Sequence, residues 1–488
     1  MSIRLLQAIF LSGVYTAVDG ATLFLSPALE ADLVGQGKAV WVSAPRVPID
    51  LTEHKLSHAA MGITSAAETA PLVVFEAPFT GITVTPEVGC TILSSGVFDL
   101  NGEQVWRVVA SAVGTYKYFE VSMPEVANGF SCTNATFECG FDDAATLMST
   151  IYCYVGDATY AKSMRGAAGT LTGASTTRAP CRPGMTAYQF DEVGWTLTGV
   201  SAPISNEIFT RAKIRFTPAD GATTTVYIKR IAIGGRGVSR IAITADDGYS
   251  SWANIGQQVL REYGLRSTMC VIPVVVGDPG YVTWADLRRF VSNGINECII
   301  HGPNHPTTKG NGNYWTAWAT NAERLADVLG ARDRLLAEGV MSERGAMCIA
   351  WPQGWYAGAE GDTTFLQMLV DNGLRLGRGI TGDTFRNFRA ALISERNPAR
   401  LVLNIAGGHS WASAGTEAAN IAAIIANIQA AAASGMDCCV VFHRVVGVDA
   451  AAISTEISIN RLREICVAIK ALVDAGSARN VLFSDLAA

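Results

Sequence analysis

Charge is scarce in this chain. Only 16% of its 488 residues are Asp, Glu, Lys or Arg, and no stretch gathers lysine and arginine into a basic block. Without such a block, electrostatic capture of a nucleic-acid backbone or an anionic membrane surface has no footing. No run nears the roughly 18 apolar residues that cross a bilayer as a helix, so no membrane insertion is expected. No CxxC pair occurs among the 11 cysteines, at 90, 132, 139, 153, 181, 270, 298, 348, 438, 439 and 466. Several sit in apolar runs, as Cys298 does between Asn296 and Ile300. They read as buried free thiols, which suits folding in a reducing cytoplasm. Histidine is rare at six residues, so the place of each is informative.

Apolar residues are plentiful at 49%, glycine reaches 48, and the formal net charge is −6. That composition excludes disorder and supports a large core, spread over about two to four domains. The opening Met1-Ser2-Ile3-Arg4 and Leu5 to Leu11 has the outline of a signal peptide, with Val18-Asp19-Gly20 as a cleavage site. Gln7 interrupts the apolar stretch, only one positive side chain precedes it, and the segment reads equally well as a strand and turn.

The two halves differ in rhythm. Up to about residue 235, short β-branched and aromatic runs alternate with Gly, Pro, Asn, Asp and Ser. Leu72-Val73-Val74-Phe75, Val105 to Val109 and Tyr116 to Val121 are examples. This is the texture of antiparallel sheets packed as a β-sandwich. A small β unit with an attachment role is expected over 1–45, a second β-rich segment over 46–128, and a sandwich over 129–235 with a carbohydrate-binding or structural role. From 238 the pattern becomes strand, loop, helix. Strands are expected near 240–245, 267–272, 296–300, 346–351, 374–380, 401–405, 437–443 and 480–484. Helices are expected over 251–263, 317–338, 416–433 and 453–475. The chain is thus read as multidomain, with N-terminal all-β modules and a C-terminal (β/α) distorted TIM-like barrel over 238–488.

In such barrels chemistry sits where strands end. The first strand ends Thr244-Ala245-Asp246-Asp247-Gly248, and the third ends His301-Gly302-Pro303-Asn304-His305. The fourth ends Trp351-Pro352-Gln353-Gly354, and a late one ends Val441-Phe442-His443-Arg444. Taken singly, each is an ordinary turn or a packed histidine. Taken together, they converge on one face of one barrel. One carboxylate and two imidazoles make a divalent-metal set that leaves positions open for water and substrate. Asp246 is then left as a base and His443 as an acid.

With these motifs in this order, residues 238–488 resemble the polysaccharide deacetylases of the NodB-homology type, carbohydrate esterase family four. The resemblance implies that Asp247, His301 and His305 hold the metal, Zn2+ or another divalent ion. It implies that Asp246 is the general base, that His443 is the general acid, and that the backbone N–H of Gln353 helps hold the oxyanion. Three departures stand out. The family's Arg two residues before the motif proline is Ala350 here, and Arg444 is the candidate substitute. The usual Tyr is Gln353. The Asp-rich motif is represented only by Asp383. Aromatic residues follow the motifs, and Trp315, Trp355 and Tyr356, with Arg444 and His409, are expected to contact sugar.

The opening Gly13-Val14-Tyr15 to Val42 resembles the small β units at the start of tailed-phage virion proteins. That likeness implies a phage tail spike, a homotrimer made in the host cytoplasm and carried on the virion. The expected partner is an acetylated bacterial surface polysaccharide, O-antigen or capsule. Two other readings stay open: a non-catalytic receptor-binding protein on a deacetylase scaffold, motivated by Ala350, and a secreted cell-wall or chitin deacetylase.

Overall fold

In the computed structural model, the described part of residues 1–72 comprises 2–5, 9–11, 15–17, 22–23 and 39–42. From 73 onward it comprises everything except 101, 131, 133, 143–146, 148–150, 169–185, 191–194, 200–206, 235–237, 293, 303–317, 353–363, 380–386, 389–396, 404–406, 409–415, 448–454 and 488. The chain divides into two compact units, Met1–Thr69 and Ala70–Ala488. In the first, β1 (Ser2–Leu5) pairs antiparallel with β4 (Thr22–Leu23) and β5 (Ala39–Val42), while β2 (Ile9–Leu11) and β3 (Tyr15–Ala17) form a separate pair.

The second unit opens with two antiparallel six-stranded sheets. Their early strands are β6 (Val73–Glu76), β7 (Thr83–Pro86), β8 (Cys90–Leu100), β9 (Glu103–Ala112) and β10 (Phe119–Ser122). Next come β11 (Asn134–Phe141), β12 (Ile151–Gly156), β13 (Ser163–Ala168), β14 (Thr186–Phe190) and β15 (Trp195–Thr198), then β16 (Arg211–Phe216) and β17 (Thr223–Gly234). One sheet runs β15-β13-β12-β16-β10-β7; the other runs β14-β11-β17-β9-β8, with β6 added to β17. The boundary expected at 128 falls inside this arrangement, because β10 pairs with β16 and β9 with β17. Both sheets face one core, in which Phe119, Phe137 and Phe141 gather around Phe216 at 5.4, 5.7 and 6.2 Å. The alternation of Arg211 to Phe216 survives intact, its even-numbered positions buried and its odd-numbered ones half-exposed.

The rest is strand, loop, helix. The strands are β18 (Ser239–Ala245), β19 (Thr268–Val271), β20 (Glu297–Ile300), β21 (Cys348–Ala350), β22 (Leu376–Arg378), β23 (Asn387–Phe388), β24 (Gly407–Gly408), β25 (Asp437–Phe442), β26 (Arg444–Val446), β27 (Glu456–Ser458) and β28 (Ala478–Val481). The helices are α1 (Gln257–Glu262), α2 (Trp284–Val291), α3 (Asn321–Ala337), α4 (Thr364–Asp371), α5 (Glu417–Ser434) and α6 (Ile459–Asp474). Among the described residues no helix is long and apolar enough to cross a membrane. Capping boxes start α2 at Thr283/Asp286 and α3 at Thr320/Glu323, while left-handed Gly435 ends α5.

A curled sheet runs β22-β21-β20-β19-β18-β25, with every one of these neighbours parallel, and β28 joins β18. The strand expected at 401–405 is replaced in part by a 3-10 turn over Pro398–Val402, since a proline φ suits the turn. Sheet contacts resume at Leu403, which bridges Arg378, and at Gly407–Gly408, which pair with β25. Among the described residues the sheet is therefore a curled half-barrel rather than a ring of eight regular strands.

Strand alternation sorts the side chains. Ile241, Ile243, Met269, Ile300, Ile349 and Val440 pack outward with the helices. Ala242, Cys270, Ile299, Cys348, Ala350, Leu376, Cys439 and Val441 fill the interior. Buried Glu297 accepts from the Thr268 hydroxyl (2.8 Å) and from the backbone N–H (2.9 Å) and hydroxyl (2.6 Å) of Ser484, tying the C-terminal turn to the sheet. At the other junction, buried Glu138 of β11 accepts from Asn397 at 2.8 Å, which joins the double sheet to the barrel.

All ten described cysteines are buried, as expected; Cys181 lies outside the described residues. Burial pushes the Cys153 thiol up to about 12. A thiol reagent such as DTNB should therefore label at most one fast site in the native protein and all 11 after guanidinium unfolding. Rapid labelling of several thiols in buffer would contradict this packing.

Candidate active site

Strand parity decides which side chains meet. On β18, Ala242 and Thr244 face the interior, so Asp246, two residues on, faces it too. On β20, Glu297 and Ile299 carry the phase to His301. On β25, Cys439 and Val441 carry it to His443. On β22, Leu376 carries it to Arg378. All four lie at the strands' C-terminal ends.

The Asp246 backbone N–H donates to the Phe442 carbonyl at 2.8 Å, fixing the first strand end against the last. Asp247 then takes a left-handed φ of 69°, rare for a residue with a Cβ, followed by Gly248 at 76°. Such local strain persists only where the surroundings hold it. Here the Gly248 carbonyl accepts from the Val282 N–H at 2.9 Å. The left-handed turn sends the second carboxylate back toward the first.

His301 is 1% exposed and Asp246 3%. The Nε2 of His301 lies 3.3 Å from Asp247 Oδ1 and 3.8 Å from Asp246 Oδ2. Its Nδ1 lies 2.9 Å from the Ala350 carbonyl, which can only accept, so Nδ1 carries the hydrogen. In the neutral ring, Nε2 therefore presents a lone pair to two carboxylates. That arrangement needs either a second proton or a cation between the groups. Burial lowers the His301 pKa, but Asp246 and Asp247 outweigh burial and raise it. Burial raises Asp247, yet His301 brings it below the usual carboxylate range. Buried carboxylate and imidazole with a preset tautomer form the donor set of a divalent cation. Asp247 and His301 fit that role. His305, the expected third ligand, lies outside the described residues, and among the described residues no three such groups form a complete cluster.

The side chain that sequence reasoning missed is Arg378. It is fully buried, and its Nη2 donates to Asp246 Oδ1. Burial alone would raise the Asp246 pKa; Arg378, helped by His301 and His443, holds it far below the usual range. Arg378 stands directly beside Ala350 in the β21–β22 register. The arginine expected two residues before Pro352 is thus present one strand over, at the same level. Small Ala350 and Cys270 leave it room, with Cys270 Sγ 3.3 Å from Nη2. Gly377 lets β22 approach its neighbour, because a Cβ there would stand 2.2 Å from the Leu401 carbonyl oxygen. Arg444, the expected substitute, is exposed and stacks its guanidinium 4.4 Å from the centre of the Tyr249 ring. Tyr249 in turn stacks on Tyr281 at 5.0 Å. This shelf at the mouth was also missed. Little in the sequence signalled Arg378, since the stretch 374–380 carries two arginines, Arg375 and Arg378, and only the register separates their roles.

His443 is half-buried and close enough to act electrostatically on both aspartates. Its buried Nδ1 has no hydrogen-bond partner among the described residues. Gln353, Trp315, Trp355, Tyr356, His409 and Asp383 lie outside the described residues, as does His305.

Residues 234–375, which include Asp246, Asp247 and His301, match the family model for polysaccharide deacetylases. Among solved structures, the Streptococcus pyogenes deacetylase PplD in complex with acetate is 21% identical, with a TM-score of 0.26. That match covers 33% of this chain, and the chain spans only 62% of PplD. A family 4 carbohydrate esterase from Streptomyces lividans is 17% identical over 49% of this chain and 90% of its own, with a TM-score of 0.30. The peptidoglycan deacetylase PdaC from Bacillus subtilis is 16% identical over 51% and 89%, with a TM-score of 0.31. Among curated proteins nothing matches the chain.

The Arg378–Asp246 pair makes a stability prediction. Arg378→Met should cost about 3–5 kcal/mol in urea unfolding, because it strands a buried carboxylate. Asp246→Asn added to it should recover most of that loss, a coupling above about 2 kcal/mol. Simple additivity of the two substitutions would show that the pair does not act as one unit.

Proposed function

We propose that the C-terminal domain is a metal-dependent hydrolase that removes acetyl groups from a bacterial surface polysaccharide, O-antigen or capsule. The observation that carries this reading is the buried meeting of Asp246, Asp247 and the lone-pair nitrogen of His301. Asp247 and His301, with His305, would hold a divalent cation. Bound there, it would polarise the acetyl carbonyl and make an attacking water more acidic.

The chain's own residues do the rest. Asp246 takes the water's proton on the oxygen that Arg378 leaves free. Arg378 keeps that carboxylate ionised and oriented, so it is a base at neutral pH. The backbone N–H of Gln353 donates to the oxyanion as the carbonyl becomes tetrahedral. His443 delivers a proton to the departing sugar oxygen or nitrogen, and acetate is left behind. Tyr249 and Tyr281 offer a flat aromatic shelf at the mouth, against which a sugar ring's C–H face packs.

The non-catalytic reading was motivated by Ala350. Arg378 beside Asp246 supplies the positive charge that Ala350 lacks, which favours turnover. The β-rich units ahead of the domain and the buried cysteines support placing the enzyme on a phage tail spike, a homotrimer assembled in the host cytoplasm.

Acetate release from acetylated xylan and from chitotetraose, assayed with added Zn2+, tests the chemistry. Asp246→Asn should lower kcat by about 10²–10⁴-fold while leaving glycan binding in place. Unchanged acetate release in that variant would remove Asp246 from the mechanism. Tyr249→Ala should raise KM several-fold and leave kcat near its original value. A fall in kcat with KM unchanged would contradict the shelf role.

A further inference from the structure

The double sheet has two outer faces. That of the β14-β11-β17-β9-β8 sheet is closed where Thr136, Glu138 and Ala232 are buried and Glu138 bonds Asn397. The outer face of the β15-β13-β12-β16-β10-β7 sheet is different. Its inward residues, among them Phe119, Ile214, Cys153 and Met164, belong to the core. Its outward residues include a cluster of tyrosines, lysine and arginines that are half-buried or exposed.

The register sets these residues in two rows. One row runs Glu120, Arg215, Tyr152; the next runs Ser122, Lys213, Tyr154, Arg165. The Tyr152 and Tyr154 rings lie 6.3 Å apart, tilted by 45°. Cations interleave with them. The Arg215 guanidinium lies 3.8 Å from the Tyr118 ring and 4.8 Å from that of Tyr154. The Lys213 ammonium lies 4.3 Å from the Tyr160 ring, and Arg165 lies 5.3 Å from that of Tyr152. Cation–π contacts hold both partners in a fixed geometry.

Charge on this face is unbalanced. Lys213 (2.8 Å) and Arg215 (2.7 Å) share the single carboxylate of Glu120. Arg165 is exposed and enters no ion pair among the described residues. The face is therefore locally positive on a chain whose net charge is −6. Aromatic rings offer apolar faces to the C–H faces of sugars, and the surplus cations complement scattered carboxylates. A nucleic-acid backbone, charged at every residue, would meet Glu120 and an acidic chain beyond the patch.

We propose that this sheet face binds a carboxylate-bearing polysaccharide, its sugar rings on Tyr152 and Tyr154 and its carboxylates on Arg165, Lys213 and Arg215. The site is independent of the chemistry at Asp246, so Asp246→Asn protein binds as well as the native chain.

Affinity electrophoresis of the full chain tests it, with alginate or hyaluronan in the gel and dextran as the neutral control. The two acidic polymers should retard the protein and dextran should not, and the retardation should fade as salt is raised. Tyr154→Ala/Arg165→Ala should weaken binding by at least about tenfold. Tyr154→Phe should keep most of it, and acetate release from chitotetraose should be the same in all three proteins. No retardation by either acidic polymer overturns the proposal. So does equal retardation of the Tyr154→Ala/Arg165→Ala protein, or tighter binding of an oligo-dT strand than of alginate.

Discussion

The curled parallel sheet is organised around one buried charge pair. Asp246 cannot be ionised inside the sheet unless a cation compensates it, since an isolated carboxylate taken from water would protonate instead. Arg378 provides that cation from two strands beyond the one that carries His301. The pair requires small side chains along the interior, and Cys270, Ala350 and Cys439 are small. It also requires β22 to be drawn close to the segment at Leu401, which Gly377 permits. An ionised Asp246 then sets the field felt by His301, and His301 sets the field felt by Asp247.

Much of this was legible in the sequence because sheet parity is a two-residue rule. An apolar strand ending in Asp246, His301 or His443 has only one face left for the polar residue, and in a curled parallel sheet that face is the interior. The apolar periodicity also placed α1, α3, α5 and α6, with α1 stopping before Gly264, whereas the short α2 and α4 were not expected, although α2 opens with a Thr283/Asp286 box. Asp247 stood out as a candidate ligand from the Asp246-Asp247-Gly248 run, although its left-handed turn could only be anticipated from the following glycine.

What escaped the sequence depended on neighbours across strands. Arg378 lies more than a hundred residues from Asp246, and its meaning comes from its register partner Ala350, which no local pattern displays. The missing arginine was sought beside His443, in Arg444, because adjacency in sequence is visible and adjacency in a sheet is not. The same limit hid the interleaving of the 73–122 and 134–234 strands, which long-range antiparallel pairing brings into one core. The alternation within Arg211 to Phe216 was plain, whereas the tyrosines facing those cations come from other strands.

The central claim is that Asp247 and His301 hold a divalent cation beside the Asp246 base. Metal content by plasma mass spectrometry, on the native chain and on Asp247→Ala after identical dialysis against Zn2+, tests it most directly. About one ion per chain in the native protein and almost none in the variant is the expected result. A native chain that takes up no metal, or a variant that binds it as well as the native chain does, would contradict it.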